Sequence, residues 1–236
     1  MATYTITGCT VADGAALAAN NIPAFWQDPH WHLAWSHRTL PYHILQIAKR
    51  IPRNLLASRP TTRHQKAIDP STGNIVGYAR WTIPASHAAD SDGKPVWGDA
   101  MVPAVGEEEE IEIRRVAATA DWDPNQESDE LLVESRAIEE EILGRGVWMR
   151  LDYLAVHPEQ QGKGIGTALV QSGMREAEKL GLDIFIVAMK AGMGVYKRLG
   201  FRVERVLVQD DEKYGGLGEY KTYFMVLEQK RVGLNV

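Results

Sequence analysis

The chain is poor in cysteine, in early positive charge and in long apolar runs. Cys9 is the one cysteine in 236 residues, so no intrachain disulfide can form, as befits a reducing compartment. No Lys or Arg precedes Arg38, so the alanine-rich stretch 8–25, which carries Asp13, Asn20 and Asn21, lacks the positive start of a secretory signal. No apolar run approaches the ~20 residues needed to cross a bilayer. We therefore expect a cytosolic protein with no membrane partner. Positive charge is also in deficit. With 26 Lys and Arg against 31 Asp and Glu, the net charge is -5, which argues against nucleic acid and for cationic partners.

What is present is enough apolar material, 44% of residues, for one α/β core. Tyr4–Thr7 reads as a first strand, and Asp13 can cap a helix running to about Ile22, ahead of Pro23. An aromatic loop follows, from Trp26 to Arg38, with Trp31, Trp35, His30, His32 and His37. Its histidines lack the carboxylate or cysteine pattern of a metal site, so we expect no metal and read them as packing. Pro41 suits the first turn of a helix ending near Pro52. Thr62–Ile68 and Asn74–Ile83 are predicted strands around the turn Asp69-Pro70-Ser71-Thr72-Gly73. From Pro84 the pattern dissolves, and residues 84–125 read as an insertion whose Glu107–Glu110 run is a solvated face. Gln126–Leu143 recovers helical spacing.

The last third is the most regular. Val147–Val156 is a strand, Thr167–Leu180 a helix stopped by Gly181, and Asp183–Met189 a central strand. Met193–Leu199 is a short helix, and Phe201–Val208 and Lys221–Glu228 are closing strands. No linker divides the chain, so residues 1–236 are expected to form one domain.

Between the strand and the helix lies His157-Pro158-Glu159-Gln160-Gln161-Gly162-Lys163-Gly164-Ile165-Gly166. Glycines let backbone N–H groups approach a ligand, and a helix N-terminus adds unpaired donors and a positive dipole end, so an anion site is expected. A Walker loop fails, because Lys163 is followed by Gly164 rather than Ser or Thr. A dinucleotide fingerprint fails too, since its third glycine would fall on Thr167 or Leu169.

Gln161-x-x-Gly164-x-Gly166 does fit the Q/R-x-x-G-x-G/A signature of the GNAT acetyltransferases, and the chain resembles that family over 147–202. Leu151-Asp152-Tyr153-Leu154-Ala155-Val156-His157-Pro158 is similar to the family's fourth strand, and Tyr196-Lys197-Arg198-Leu199-Gly200-Phe201 to its Y-x-x-x-G-F element. The resemblance implies a single mixed twisted sheet flanked by helices, with the fourth and fifth strands splayed. It implies acetyl-CoA as cosubstrate, its pyrophosphate on the backbone of Gln161, Gly162, Lys163, Gly164, Ile165, Gly166 and Thr167. Leu154, Ala155 and Val156 would hold the pantetheine arm and polarise the thioester. It further implies Tyr196 as general acid and an amine-bearing small molecule or peptide as acceptor.

Strand alternation puts Asp152 on one face with Arg150, Leu154 and Val156, as a possible base or a salt-bridge partner of Arg150. Glu110, Glu112 and Asp129 are further carboxylates to place, and His157 reads as a turn cap. The expected activity is acetyl transfer to an amine by direct attack within a ternary complex. A non-catalytic acyl-CoA sensor is the alternative, disfavoured by the intact Tyr196.

Overall fold

The computed structural model describes residues 4–229. One sheet carries seven strands in the order β1-β2-β3-β4-β5-β7-β6. They are β1 (Thr5–Gly8), β2 (Thr62–Ile68), β3 (Ile75–Thr82), β4 (Trp148–Val156), β5 (Asp183–Ala188), β6 (Arg202–Asp210) and β7 (Glu219–Leu227). All neighbours are antiparallel except β4 and β5, which run parallel. The helices are α1 (Gly14–Phe25), α2 (Pro29–Trp35), α3 (Leu40–Leu56), α4 (Glu107–Ala118), α5 (Glu130–Leu143), α6 (Ile165–Leu180) and α7 (Met193–Arg198). Among the described residues, no helix is long and apolar enough to cross a membrane.

Side-chain alternation sorts the core by face. Ala79 and Trp81 of β3, Ile184 and Ile186 of β5, and Ile165, Leu169 and Val170 of α6 form the largest cluster. On the opposite face Phe185, Phe224 and Val226 meet Ile138 and Ile142 of α5, and Tyr78 meets Leu17 of α1 and Leu55 of α3. Each fully buried large apolar side chain contributes about 1.5–3 kcal/mol. The approach of α6 is close: a Cβ on Gly173 would fall 2.1 Å from the Trp81 ring, so only glycine fits there.

Several expected boundaries move. The aromatic loop contains α2, whose first turn is closed by the Asp28 carboxylate accepting from Trp31 N at 3.1 Å, with Pro29 as first helical residue. Trp26, Trp31 and Trp35, joined by Trp122, surround the buried His43. The first helix runs through Pro23 to Phe25, and α3 runs past Pro52 to Leu56. There Pro52 packs on Gly14, where a Cβ would lie 2.8 Å from the proline ring. The last helix of the glycine turn begins at Ile165 rather than Thr167.

The stretch 84–125 is more ordered than its composition predicted. It contains α4, which packs on α3, with Glu107–Glu110 in its first turn, where carboxylates complement the helix dipole. It is also tied to the sheet by Arg63, fully buried, whose guanidinium donates to Val96 O at 2.7 and 2.9 Å and to the carbonyls of Arg59, Pro60 and Thr62. Those acceptors offset the cost of burying a charge without a carboxylate partner.

Burial lowers the pKa of His43 to about 4 and that of His64 to about 3. An exposed imidazole titrates near 6.5, so between these values the unfolded chain binds more protons than the fold does. Stability therefore rises with pH in this window and is lost as pH falls from about 6.5 toward 4 and 3. Thermal unfolding midpoints should drop from pH 7 to pH 4.5, and the drop should be shallower in His43→Phe. An unchanged slope in that variant would show that His43 is not one of the groups responsible.

Candidate active site

The site begins where the sheet opens. β4 and β5 pair from Trp148↔Asp183 to Leu151↔Ile186 and then part, although β4 runs on to Val156 and β5 to Ala188. Both keep their outer partners, β4 with β3 through Val156 and β5 with β7 through Ala188. The expected splay of the fourth and fifth strands is thus present as a wedge between two otherwise paired edges.

At the head of the wedge lies the glycine turn. Gly162 and Gly164 have φ of +76° and +84°, the left-handed region that favours glycine, and a Cβ at either would meet no atom within 4 Å. Gly164 is the N-cap of α6, with no side-chain cap and no acid in the first turn. Among the described residues, the N–H groups of 162–167 donate to no acceptor. Helix starts leave donors unpaired by construction, but here no carboxylate or hydroxyl has been supplied to take them. Gly166 looks into the wedge, since a Cβ there would sit 3.7 Å from Val156, 3.8 Å from Leu154 and 3.9 Å from Val195 of α7.

The turn is anchored by groups that composition did not single out. Asn20, buried on α1, donates to Ala155 O at 3.4 Å and accepts from His157 N at 3.3 Å. Gln161 Nε2 donates to Val156 O at 3.3 Å, and His157 caps its own turn by accepting from Glu159 N. Lys163 donates to Gln160, on the surface.

Asp152 stands elsewhere than alternation implied. The β3–β4 register runs Arg80↔Tyr153 and then Trp81↔Leu151, so Asp152 is the extra residue of a β-bulge. The bulge puts the side chains of Asp152 and Tyr153 on one face. Leu154 and Val156 join the α6 side, while Tyr153 packs on the α1 side against Phe25, ring centroids 4.3 Å apart. Asp152 therefore does not share a face with Leu154 and Val156. Its Oδ2 accepts from Thr82 Oγ1 at 2.5 Å, and its Oδ1 lies 2.9 Å from Arg150, close but without the alignment of a hydrogen bond. Arg150 also meets Glu139 at 3.1 Å. The salt-bridge reading of Asp152 is present in the fold.

Tyr196 is 5% exposed, its ring against Gly192 and edge-on to Phe201. Burial pushes its pKa upward. The other carboxylates lie apart: Glu110 and Glu112 pair with Arg114 and Arg115 on α4, and Asp129 is exposed at the start of α5. No group of His, Cys, Asp and Glu among the described residues is arranged to hold a metal.

On the α1 side, residues 25–31 bridge the wedge. Phe25 contacts Tyr153 of β4 and also Trp31, at 5.3 Å. Asp28 accepts from Tyr220 Oη at 3.0 Å, and that hydroxyl lies 3.1 Å from the sulfur of Met189, just past β5. His30 stacks on Tyr220 at 3.3 Å between centroids and lies 3.3 Å from buried Asp211. Sequence reading placed His30 in an aromatic loop and passed over Asp28, Asp211 and Tyr220. The Asp28-Pro29 pair was a legible helix start, whereas nothing local marks Asp211.

Comparison with known proteins names this arrangement. Residues 117–203 match the model of the acetyltransferase (GNAT) domain family. The chain is similar to an L-methionine sulfoximine/L-methionine sulfone acetyltransferase of Pseudomonas aeruginosa, 33% identical over 64 residues, or 25% of this chain and 37% of that protein. The match thus spans little more than a third of that relative's length. Among solved structures, a histone acetyltransferase HPA2 and related acetyltransferase from Corynebacterium glutamicum superposes with a TM-score of 0.56 at 18% identity, over 98% of this chain and 99% of that one. The Drosophila melanogaster polyamine N-acetyltransferase, which forms N-acetylagmatine, gives 0.54 at 15% identity, over 96% and 100%. The PaiA N-acetyltransferase of Thermoplasma acidophilum, solved with coenzyme A, gives 0.50 at 12% identity, over 96% and 99%. At such identities the structural likenesses show the fold. Residues 117–203 thus match the GNAT domain family, and the chain as a whole has the fold of these acetyltransferase structures.

The left-handed backbone at Gly164 has a measurable cost to any replacement. Gly164→Val, β-branched at φ +84°, should lose about 1–3 kcal/mol of stability. Gly166→Val, in ordinary helical backbone, should lose less. Equal denaturation midpoints for the two variants would contradict the assigned backbone at Gly164.

Proposed function

We propose that the protein is an N-acetyltransferase that takes its acetyl group from acetyl-CoA and delivers it to an amine-bearing small molecule or peptide. The observation that carries this is the run of acceptor-free N–H groups at 162–167, facing a wedge in the sheet at a helix start with no acid in it. Such a run binds phosphate oxygens. Gly162 and Gly164 present open space to a pyrophosphate, and the Gly166 groove between β4 and α7 is apolar, as a pantetheine arm requires. The residues present fit the coenzyme. When bound, it supplies an activated acetyl group as a thioester.

Gly162, Lys163, Gly164, Ile165, Gly166 and Thr167 hold the diphosphate through backbone N–H groups in this reading, with Gln161, its own N–H given to Pro158 O, opening the turn. Leu154, Ala155 and Val156 line the wedge. A backbone N–H of Leu154 or Ala155 directed at the thioester oxygen stabilises the negative charge that develops there, by about 3–4 kcal/mol for a well-placed donor. Asp152, fixed by Thr82 and Arg150, is the β4 carboxylate that orients a cationic acceptor. Buried Tyr196 stays protonated at neutral pH, because burial raises its pKa. A phenol less acidic than a thiol is suited to hydrogen-bonding the departing sulfur rather than to protonating it fully. The unpaired Cys9 is consistent with a cytosolic setting. The methionine sulfone and agmatine acetylated by relatives motivate the choice of amines to assay.

Two experiments test this. Calorimetry should show acetyl-CoA binding by the wild type and about tenfold or more weaker binding by folded Gly166→Val, a change worth some 1.4 kcal/mol. Unchanged affinity would remove the coenzyme from this groove. In assays of CoA release with polyamines, amino acids, arylamines and peptides, Tyr196→Phe should lose roughly 10²-fold in kcat while keeping its affinity for acetyl-CoA. Full activity in that variant would leave Tyr196 as a packing residue only.

A further inference from the structure

On the acceptor side of the wedge one polar cluster remains without a role. Four side chains meet there from separate parts of the chain: Asp28 and His30 at the start of α2, Asp211 after β6, and Tyr220 on β7. Asp211 is 1% exposed and is fixed by the N–H of Gly218 donating to its Oδ1 at 2.8 Å. Its Oδ2 faces His30 Nε2 at 3.3 Å, but Nε2 is buried and has no aligned hydrogen bond. Tyr220 fixes the plane of the imidazole by stacking at 17° and is itself held by Asp28. The His30 side chain is 17% exposed, so it is not sealed in.

The cluster has a position as well as a chemistry. Tyr220 touches Met189, the residue that follows β5 at the open end of the wedge. Phe25, at the end of α1, lies beside Tyr153 of β4 and meets Trp31 of α2 across the same α1–α2 junction. The junction therefore spans the two strands whose parting makes the site. An alkylamine arrives mostly as ammonium at neutral pH and must lose a proton before it can attack. Among the carboxylates considered, Asp152 is already engaged by Thr82 and Arg150, and Glu110 and Glu112 by arginines on α4.

We infer that His30, oriented by Asp211 and Tyr220, is the catalytic base that takes the proton from the acceptor's ammonium group. This deepens the acetyltransferase reading above and rests on it. His30 accepts one ammonium proton, and Asp211 stabilises the imidazolium that results. The freed amine forms its C–N bond to the acetyl carbon as the C–S bond breaks. The second nitrogen proton ends on the departing sulfur, and His30 returns its proton to water. Burial lowers the pKa of His30 against the opposing pull of Asp211 and Asp28, so the imidazole is neutral, and able to accept, at pH 7. The groups that face it are Asp28 from α2, Asp211 from the turn after β6 and Tyr220 from β7.

The test compares wild type, His30→Gln and Asp211→Asn, with the best amine of the panel and acetyl-CoA. His30→Gln should lose about 10²- to 10⁴-fold in kcat/KM for the amine, with acetyl-CoA affinity unchanged by calorimetry. In the wild type kcat/KM should fall on the acid side as His30 is protonated. Asp211→Asn removes a carboxylate that raises the His30 pKa, so its acid limb should move to lower pH, a shift that a merely structural Asp211 would not produce. An active wild type with an equally active His30→Gln overturns the assignment of His30 alone. So does an inactive His30→Gln accompanied by an Asp211→Asn profile with an unmoved acid limb. A wild type that neither binds acetyl-CoA nor releases CoA with any amine overturns the acetyltransferase reading and this inference with it.

Discussion

The parting of β4 from β5 after Leu151 and Ile186 is the constraint on which the rest of the site depends. Two strands that separate inside a sheet expose backbone groups that would otherwise pair, and each one left buried without a partner costs about 1–3 kcal/mol. The fold limits this cost. Each strand keeps its outer ladder, and buried Asn20 takes Ala155 O and His157 N as a neighbouring strand would. The Gln161 side chain takes Val156 O. What stays open is the inner edge of the wedge and the glycine turn at its head.

The bulge at Asp152 divides the wedge chemically. Without the extra residue, Asp152, Leu154 and Val156 would share a face. With it, Leu154 and Val156 turn toward α6 and the glycine turn, while Asp152 and Tyr153 take the other face, Tyr153 against Phe25 of α1 and Asp152 beside Thr82 and Arg150. One side is apolar and ends in free N–H groups. The other carries aromatic rings and carboxylates. A single inserted residue thus gives one strand two faces of different chemical character.

How far the sequence could be read follows from how local each signal is. The glycine turn, the flanking strands and the final helices are specified by neighbours in the chain, and they stand where alternation and turn chemistry put them. So does the β2–β3 hairpin at Asp69–Gly73, where Gly73 has a φ of +72°. The bulge was not legible, because nothing within 148–156 distinguishes it from a regular strand and only the register with β3 reveals it. Pro52 was read as a stop, but its contact with Gly14 lets α3 continue, and that contact joins residues far apart in the chain. The tryptophans of 26–38 were legible as packing, but not the buried His43 at their centre. Asp211 meets His30 only because β6, β7 and α2 converge, so no window of sequence contains that pair.

The helix starts of the fold meet their dipoles in different ways. A helix N-terminus attracts negative charge whatever its sequence, and α1, α3 and α7, like α6, have neither a side-chain cap nor an acid in the first turn. At α2 the Asp28 carboxylate takes the Trp31 N–H, and at α4 the run Glu107–Glu110 places negative charge on the first turn. Both starts answer their own dipole. At α6 the cap is Gly164, the first turn has no acid, and the N–H groups of 162–167 have no acceptor among the described residues. In a chain of net charge -5 this is a local reversal of the prevailing sign, and it lies across the wedge from Asp28, Asp152 and Asp211. Screening limits the reach of exposed charges to about 8–10 Å, so what counts is which groups line each side of the wedge and not the total. In the proposed reading, phosphate oxygens on one side and a cationic nitrogen on the other would each be met by opposite charge, at the edge of β4 that β5 has left.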